Sequence, residues 1–341
     1  QGLRVGRYSS PHLESITDRI EIDGEPISRD DFAAEIHALG ALVELAEYPP
    51  SYFELLTAAA YRWFAEVAVD VAVVEVGVLG RFDATNVIDA DVAVVTNIGR
   101  DHTDGIGEWR RAIAREKAGI AKPSSTLVVG ERGQDVLDVF EGQAAAELVL
   151  VDRDFELVDS TPAVAGRMID IRSPRHHYDE IYVSAHGAHQ AQNAAVAVVA
   201  VEEFFDAPVP EDVLAPALGD LVLPGRAEVV ANEPVVLLDG AHNREAAQAL
   251  SETLTTAFGA FSPRVFVLAA LAPRNPSDFI VDLGLGPGDF VVAIPVNSPR
   301  SVDPGRIVVS ARAVGADAEA AADADDGLER ARVLAGESGI V

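Results

Sequence analysis

The stretch from 71 to 122 constrains the fold most, because two buried-strand patterns, a glycine-rich turn and a helix pattern follow one another in it. The apolar runs 71–74 and 92–96 end on polar residues, Glu75 and then 97–104. Two such runs separated by a crossover predict neighbouring strands of a largely parallel sheet. Ligands of these sheets bind beyond the carboxyl ends of the strands, so Glu75 and His102 are candidate site residues.

Lys117 is the unexpected residue of this stretch. Five residues spaced three or four apart lie on one face of the predicted helix: Ile106, Trp109, Ile113, Lys117 and Ile120. An unpaired buried ammonium is costly, so a lysine on this stripe needs a partner, a changed protonation state or a modification. The spacing also fits a partly buried stem whose ammonium group reaches water, and by itself it favours that simpler arrangement.

The composition excludes several classes of protein. The 341 residues suffice for two domains, and no apolar run approaches the roughly 18 residues of a transmembrane helix. The first ten residues lack the apolar segment of a signal peptide. Cysteine is absent, which excludes disulfides, thiol catalysis and zinc–thiolate sites. We therefore expect a cytoplasmic protein that does not contact a membrane.

The charge is strongly unbalanced. Asp and Glu number 55 against 26 Lys and Arg, and the formal net charge is −29. Such a field disfavours nucleic acids and anionic membranes as partners. An anionic substrate must then be held by cations close to it, because charges beyond about 8 Å are screened at physiological salt.

The chain predicts an α/β fold in two domains. Residues 1–225 indicate a mostly parallel sheet with flanking helices, and a more antiparallel patch between 148 and 184. The Leu-Pro-Gly-Arg sequence at 223–226 predicts the boundary. Residues 226–341 repeat a βαβ rhythm and predict a smaller, Rossmann-like domain. The chain begins within one strand pattern and 339–341 resembles the start of another, so we expect a fragment.

Seven short motifs follow one another along the chain. They are Tyr-Ser-Ser-Pro-His-Leu at 8–13, Glu-Val-Gly with Gly-Arg-Phe-Asp-Ala-Thr-Asn at 75–86, Asp-His-Thr-Asp at 101–104, Arg-Glu-Lys-Ala-Gly-Ile at 115–120, His-Gln with Asn-Ala-Ala at 189–195, Leu-Pro-Gly-Arg at 223–226 and Asp-Gly-Ala-His-Asn at 239–243. As an ordered set they resemble the folylpolyglutamate synthase/dihydrofolate synthase family of the Mur ligase superfamily. The resemblance covers about residues 5–271 and is thin beyond that.

This resemblance implies an ATP-dependent amide ligase. Such an enzyme joins L-glutamate to a carboxylate of folate or dihydropteroate through an acyl phosphate. The implied fold is a Mur ligase central domain followed by a smaller C-terminal domain. The implied cofactors are ATP and Mg²⁺ at two sites, and we expect a monomer. Whether the first glutamate, later ones or both are added stays open.

The resemblance also implies roles for individual residues. Ser10 and Glu75 correspond to ligands of the Mg²⁺ that carries the nucleotide phosphates. His102, with Glu75, corresponds to a ligand of the second Mg²⁺. Lys117 corresponds to a lysine that CO₂ carbamylates and that reaches a metal. A carbamate beside divalent cations would explain an otherwise misplaced lysine.

The nucleotide contacts implied by the resemblance lie later in the chain. Asn193 corresponds to an adenine contact and Arg226 to a γ-phosphate contact. Asp239 and His242 correspond to nucleotide or acyl-phosphate contacts of the C-terminal domain. Lys117, Arg226 and His242 are thus the expected catalytic residues.

Three departures from the family pattern stand against these matches. The phosphate-binding loop of the family, a Gly-Thr-Asn-Gly-Lys-Gly-Ser type sequence, is absent from the chain. Leu79 replaces a usual glycine, and 272–275 replaces an Asp-Lys-Asp-like stretch. Two alternatives therefore remain, another Mur-type amino-acid ligase and an inactive fragment. A nicotinamide dehydrogenase is disfavoured because no Gly-x-Gly-x-x-Gly follows a strand.

Overall fold

The computed structural model describes residues 2–100 and 107–341, which form two compact units. The first unit contains 2–98 and 107–150, and the second contains 99–100 and 151–341. The boundary predicted at 225 lies inside the second unit, where one sheet gives way to another. In the described ranges no helix combines the length and apolarity needed to cross a bilayer.

The first unit begins with a sheet covered by helices. A capping box starts its second helix, because Ser51 Oγ accepts from Glu54 N (3.2 Å) and Glu54 Oε2 accepts from Ser51 N (2.7 Å). That helix buries Leu56, Ala60 and Phe64, which lie on one face at a spacing of four residues. The elements of the unit are β1 (Val5–Tyr8), β2 (Ile20–Ile22), β3 (Glu25–Pro26), α1 (Arg29–Val43), α2 (Tyr52–Glu66), β4 (Val71–Val74), β5 (Val92–Val95), α3 (Trp109–Ala118), β6 (Thr126–Val129), α4 (Leu137–Glu141) and β7 (Glu147–Leu150).

Two sheets of the first unit correct the predicted strand order. One has the order β3-β2-β1-β4, in which β1 and β4 are parallel. The other is the parallel sheet β5-β6-β7. The prediction that β4 and β5 are neighbours was therefore wrong, because β4 pairs with β1 and β5 with β6. The expected burial of β4 was also wrong, since this strand lies at a sheet edge and Val73 is 56% exposed.

The helix that carries Lys117 is shorter than predicted. It ends at Ala118, and its buried face consists of Ile113, Ala114 and Ala118. Ile120 lies beyond the helix, and Ile106 lies outside the described residues. Lys117 is half-buried beside this face, which agrees with a partly buried stem.

The second unit contains an antiparallel sheet followed by parallel strands. The predicted antiparallel patch is confirmed for the strands at 156–163, 166–172 and 177–183, but its first strand, 148–151, is mostly β7 and pairs in parallel with β6. Asn243 caps the helix that begins at Arg244, as its residue type predicts, by accepting from Ala246 N (2.9 Å). The elements are β8 (Glu156–Ala163), β9 (Gly166–Arg172), β10 (His177–Val183), α5 (Ala188–Phe205), α6 (Glu211–Gly219), β11 (Glu228–Asn232), β12 (Val235–Leu238), α7 (Arg244–Ala257), β13 (Arg264–Leu268), α8 (Pro276–Asp282), β14 (Asp289–Ala293), α9 (Pro304–Ala313), β15 (Asp317–Ala320) and α10 (Ala324–Ala335).

The C-terminal part confirms the predicted βαβ rhythm. Strands β13, β14 and β15 are parallel and in sequential order, and β11 and β12 form an antiparallel pair. Helices α7, α8 and α9 pack on one apolar layer and α10 packs on another, so the parallel strands are covered on both faces. Together with the parallel sheets of the first unit, this confirms the predicted α/β class.

A bidentate ion pair joins the beginnings of β13 and β14. Arg264 Nε and Nη2 donate to the two carboxylate oxygens of Asp289, both at 2.8 Å, and the Asp289 side chain is 7% exposed. Asp289 also accepts from Gly286 N (2.9 Å). We expect Asp289→Ala to lower the free energy of unfolding by about 3 kcal/mol, because it strands a half-buried guanidinium and an amide. Chemical denaturation measures this value.

The matched control for that prediction is Glu319→Ala in the same unit. Glu319 pairs with Arg330 at 3.5 Å, and both side chains are largely exposed to solvent. Removing an exposed pair should change the free energy of unfolding by no more than about 0.5 kcal/mol. Equal effects of the two substitutions would contradict a structural role for the Arg264–Asp289 pair.

Candidate functional site

Ser10 and Glu75 meet where β1 and β4 end. The two strands are parallel, so their carboxyl ends lie at the same edge, and Glu75 N donates to Tyr8 O (2.8 Å). Glu75 Oε2 in turn accepts from Ser10 N (2.6 Å). Glu75 is exposed and Ser10 is half-buried. A carboxylate beside a hydroxyl at such an edge fits a hard cation such as Mg²⁺, which prefers oxygen ligands.

The turn after β4 packs against the last turn of α3. Arg81 N donates to Glu116 O (2.8 Å), and a Cβ on Gly80 would lie 2.7 Å from Glu116 O and 3.1 Å from Lys117 Cα. Only glycine permits this close approach. The backbone of Lys117 is thereby fixed next to the segment that follows Glu75. His102, the predicted partner of these two residues, lies outside the described residues.

The Arg-Phe-Asp-Ala-Thr-Asn motif locks that turn. Asp83 accepts from Val78 N (2.8 Å) with one oxygen and from Thr85 N (2.9 Å) with the other. Asn86 Nδ2 donates to Arg81 O (2.9 Å) and to Gly119 O (3.1 Å). These bonds give Asp83 and Asn86 a structural role.

A cavity of about 690 Å³ opens beside Ser10, and sequence reasoning missed it. A Cβ on Gly77 would clash with the ring of Phe53, so the glycine makes room for that ring. The spacing of Phe53 in its helix is that of a core residue, and no feature of the sequence distinguishes a cavity-lining residue from a core residue there. The cavity wall includes three aromatic rings, a buried cation, the predicted site residue Ser10 and a carboxylate: Tyr52, Phe53, Phe82, Arg19, Ser10 and Glu116.

Arg19 supplies positive charge to this cavity. The residue is only 8% exposed, and its Nε donates to His12 Nδ1 (2.9 Å). Its guanidinium carbon lies 5.7 Å from the centre of the Tyr52 ring, within range of a cation–π contact. An anionic or polarised group in the cavity would meet a guanidinium already held by neighbouring rings.

The second unit brings three of the predicted residues together. Asp239 accepts from Ala227 N (2.8 Å) and Ala241 N (2.7 Å), which ties the 223–226 turn to the end of β12. Arg226 is exposed, and its Nη1 lies only 2.7 Å from the position that a Cβ on Gly240 would occupy. His242 Nδ1 lies 2.8 Å from Gly240 O. The cluster presents an exposed guanidinium and an exposed imidazole, a combination suited to phosphate.

Asn193 lies in the second turn of α5 and is exposed. Its Nδ2 donates to Gln190 Oε1 (3.2 Å). In the first turn of the same helix, burial lowers the pKa of His189, and the charges of Asp239 and Glu252 oppose this effect. His189 is therefore neutral near pH 7, so this end of α5 offers hydrogen-bonding groups rather than positive charge.

Metal ligation receives partial support from this geometry. Across residues 2–100 and 107–341, no three His, Asp or Glu side chains are grouped so as to hold a metal ion. Two protein ligands, Ser10 and Glu75, can suffice for one Mg²⁺ if phosphate and water supply its other ligands. The second predicted metal site depends on His102 and stays a prediction.

Comparison with known proteins agrees with the motifs. Residues 54–201 match the Mur ligase middle domain, and residues 225–341 match the Mur ligase glutamate ligase domain. The chain is 38% identical over 325 residues to the dihydrofolate synthase/folylpolyglutamate synthase of Mycobacterium tuberculosis, which covers 88% of the chain and 66% of that protein. It is 34% identical over 286 residues to the Bacillus subtilis protein of the same name, covering 81% of the chain and 66% of the relative.

Solved structures show the same relationship. Folylpolyglutamate synthase of M. tuberculosis complexed with ADP superposes with a TM-score of 0.91 at 35% identity, over 100% of this chain and 81% of that one. A bifunctional folylpolyglutamate synthase/dihydrofolate synthase with Mn, AMPPNP and L-glutamate bound superposes with a TM-score of 0.84 at 28% identity, over 100% and 79%. The chain spans slightly less than two thirds of the length of the two curated relatives. It belongs to the folylpolyglutamate synthase/dihydrofolate synthase family of the Mur ligases.

Proposed function

We propose that this chain has the function of an ATP-dependent ligase that joins L-glutamate to a reduced pterin acid, folate or dihydropteroate. The junction of Ser10 and Glu75 beside an aromatic cavity carries the proposal. A junction at the carboxyl ends of parallel strands is where this class of sheet binds ligands. The relatives named for this activity, and their complexes with ADP, AMPPNP, Mn and L-glutamate, support it.

The reaction proceeds in two steps. A carboxylate oxygen of the pterin acid attacks the γ-phosphorus of ATP, a P–O bond to the acid forms, and ADP leaves. The amine of L-glutamate then attacks the acyl carbon, the C–O bond to phosphate breaks, and the amine loses a proton as the amide forms. Phosphoryl transfer of this kind is accelerated mainly by positioning and by cations.

Each unit contributes cationic or cation-binding groups in an otherwise acidic protein. In the first unit, Ser10 and Glu75 would hold Mg²⁺, and the ion would supply positive charge that neutralises phosphate. In the second unit, Arg226 contacts the γ-phosphate, while Asp239 orients the turn that carries it. His242 contacts nucleotide or acyl phosphate, and Asn193 contacts adenine. These assignments follow the family resemblance and the cluster around Gly240.

Lys117 is the residue that we propose to be carbamylated. Its neutral amine adds to CO₂, the new N–C bond forms, and the nitrogen loses a proton to leave an anionic carbamate. The resulting oxygens, with His102 and Glu75, would hold the second Mg²⁺. Support comes from the half-buried position of Lys117 and from the close approach of Gly80 to its backbone.

The protein works in the cytoplasm as a monomer without nucleic-acid or membrane partners.

The aromatic cavity should bind the pterin acid. Phe82 lines it and is 86% exposed, so Phe82→Ala removes a wall of the cavity without removing a core side chain. We expect binding of dihydropteroate to weaken roughly fivefold, since an aromatic contact contributes about 1 kcal/mol beyond buried area. Fluorescence titration of this chain measures it.

Two comparisons make the binding test specific. Phe205→Ala removes another exposed ring, one that does not line the cavity, and should leave the affinity unchanged. A UDP-sugar peptide, the substrate type of the rival Mur-type ligases, should bind worse than dihydropteroate. Tighter binding of the UDP-sugar peptide would contradict the proposed substrate, and equal effects of the two Phe substitutions would contradict the proposed cavity.

A further inference from the structure

Arg226 closes a tight turn. Its N donates to Leu223 O (3.1 Å), and Gly225, the third residue of the turn, has a φ of +65°. Proline at the second position and a glycine with positive φ at the third are typical of a type II turn. Gly225 O also accepts from Gly240 N (2.8 Å), which ties the turn to the segment after β12. The backbone before Arg226 is thus fixed.

Two carboxylates hold the amides on either side of Arg226. Gly225 N donates to Glu228 Oε2 (2.8 Å), and Ala227 N donates to Asp239 Oδ2 (2.8 Å). Glu228 is the first residue of β11 and lies opposite the last residue of β12, directly before Asp239. The two carboxylates therefore reach the turn from the same end of this antiparallel pair.

The residue after Arg226 is held in a strained conformation. Ala227 is buried and has a φ of +48°, in the left-handed region that residues with a Cβ rarely adopt. Such conformations persist only where surrounding contacts enforce them, and they cluster at functional sites. Arg226 itself is exposed, so the turn places a guanidinium at the surface while the next residue stays in the interior.

The guanidinium of Arg226 is available to a ligand. Within the ranges 2–100 and 107–341 it forms no ion pair, and its Nη1 donates to Gly225 O at 3.3 Å. The two carboxylates closest in sequence to the turn accept from backbone amides instead of from this arginine. They therefore shape the turn without competing with phosphate for the guanidinium.

We propose that Glu228 is a positioning residue, which accepts from Gly225 N and so holds the turn in the form that aims Arg226 at a terminal phosphate. This inference rests on the proposed function, in which Arg226 contacts the γ-phosphate. Glu228 acts through the backbone and touches no substrate. Two conservative substitutions separate position from charge. Glu228→Gln keeps an acceptor oxygen at the same reach, and Glu228→Asp keeps the charge but withdraws the oxygen by one methylene.

The test uses a form of the protein that has ligase activity. Glu228→Asp should lower kcat about tenfold and weaken binding of AMPPNP about tenfold, because a charge-assisted bond to the terminal phosphate is misdirected. Binding of ADP, which has no γ-phosphate, should not change. Glu228→Gln should match the unsubstituted protein. The matched control is Glu233→Asp, an exposed glutamate at the other end of the same strand pair, and it should change none of these values.

A double-substitution cycle connects the effect to Arg226. In an Arg226→Ala background, Glu228→Asp should cause no further loss of kcat, because no guanidinium is left to position. Amide exchange in the 341-residue chain gives a reading without nucleotide, and Glu228→Asp should speed exchange at Gly225 at least tenfold.

Several outcomes would overturn the inference. Additive losses in the cycle, or equal weakening of AMPPNP and ADP, would show a merely structural role for Glu228. A Glu228→Gln protein as slow as Glu228→Asp would show that charge matters rather than position. If Arg226→Ala itself leaves kcat and AMPPNP binding unchanged, the γ-phosphate contact assigned under the proposed function is wrong, and this inference falls with it. If Arg226→Ala is slow and Glu228→Asp is not, the inference alone fails.

Discussion

With ATP, L-glutamate and a reduced pterin acid, the 341-residue chain alone should release phosphate at least about a thousandfold more slowly than a fusion that adds a phosphate-binding loop. The sequence contains no Gly-x-x-x-x-Gly-Lys-Ser/Thr segment. Such a loop cradles phosphates with backbone N–H groups and a lysine, and loss of one such donor already costs 10²–10³ in rate. The affinity of Ser10 and Glu75 for Mg²⁺ should also be weak, because phosphates normally complete the coordination of the ion.

The edge of β4 adds a second reason for this expectation. Among the described residues β4 pairs only with β1, and Val73 is 56% exposed on this edge. An exposed apolar edge strand promotes association between chains, so the unfused chain should aggregate despite its charge of −29. The loop should therefore be fused together with a preceding strand that can pair with the free edge of β4.

Phosphate release and light scattering measure these two effects. The control is the same fusion with the loop lysine changed to alanine, which adds the strand without the catalytic cation. That control should recover solubility but not turnover. Equal turnover of the chain with and without the loop would show that the nucleotide site has been placed wrongly.

Lys117→Ala should lower turnover by roughly 10²–10³ in a form of the protein that has ligase activity. The substitution removes the proposed carbamate and with it an anionic metal ligand. The midpoint of thermal unfolding should change little, because Lys117 is half-buried and alanine favours helix. Lys117→Arg should be equally slow, since arginine keeps the charge but forms no carbamate.

Lys122→Ala is the matched control, because Lys122 is the other lysine of the chain. Its Nζ donates to Asn86 O (3.0 Å), so its loss should cost about 1 kcal/mol of stability without the fall in turnover. Carbon-13 NMR of protein equilibrated with labelled bicarbonate should show a carbamate signal that Lys117→Arg abolishes. Near-normal turnover of Lys117→Arg would contradict the carbamate role.

Local patterns in the sequence were reliable where neighbouring residues decide the structure. Ser51 and Asn243 cap helices, and Leu56, Ala60 and Phe64 are buried, because hydrogen bonds and side chains within a few residues determine these features. The ordered motifs likewise predicted the family. Arg226, Asp239 and His242 were singled out as nucleotide contacts only through the resemblance. Spacing alone does not predict that residues 226 and 239 lie close together.

Strand pairing was decided by the tertiary structure. The runs 71–74 and 92–95 have the same apolar pattern, yet β4 pairs with β1, more than sixty residues earlier, and β5 pairs with β6. Periodicity tells which face of a strand is buried but carries no information about which strand lies beside it. The exposure of Val73 follows from that pairing and could not be predicted from a valine-rich run.

The cavity next to Ser10 shows the same division most clearly. Phe53 lies in α2 and Phe82 in the turn after β4, and the sequence around each residue gives no indication of a cavity. Their rings share a wall only because Gly77 leaves room and Asp83 holds the turn. Residue type alone marked Glu75 and Lys117 as candidate site residues, and their roles stay predictions. The shape of the space that a substrate enters depends on contacts between distant segments, and only the folded chain determined it.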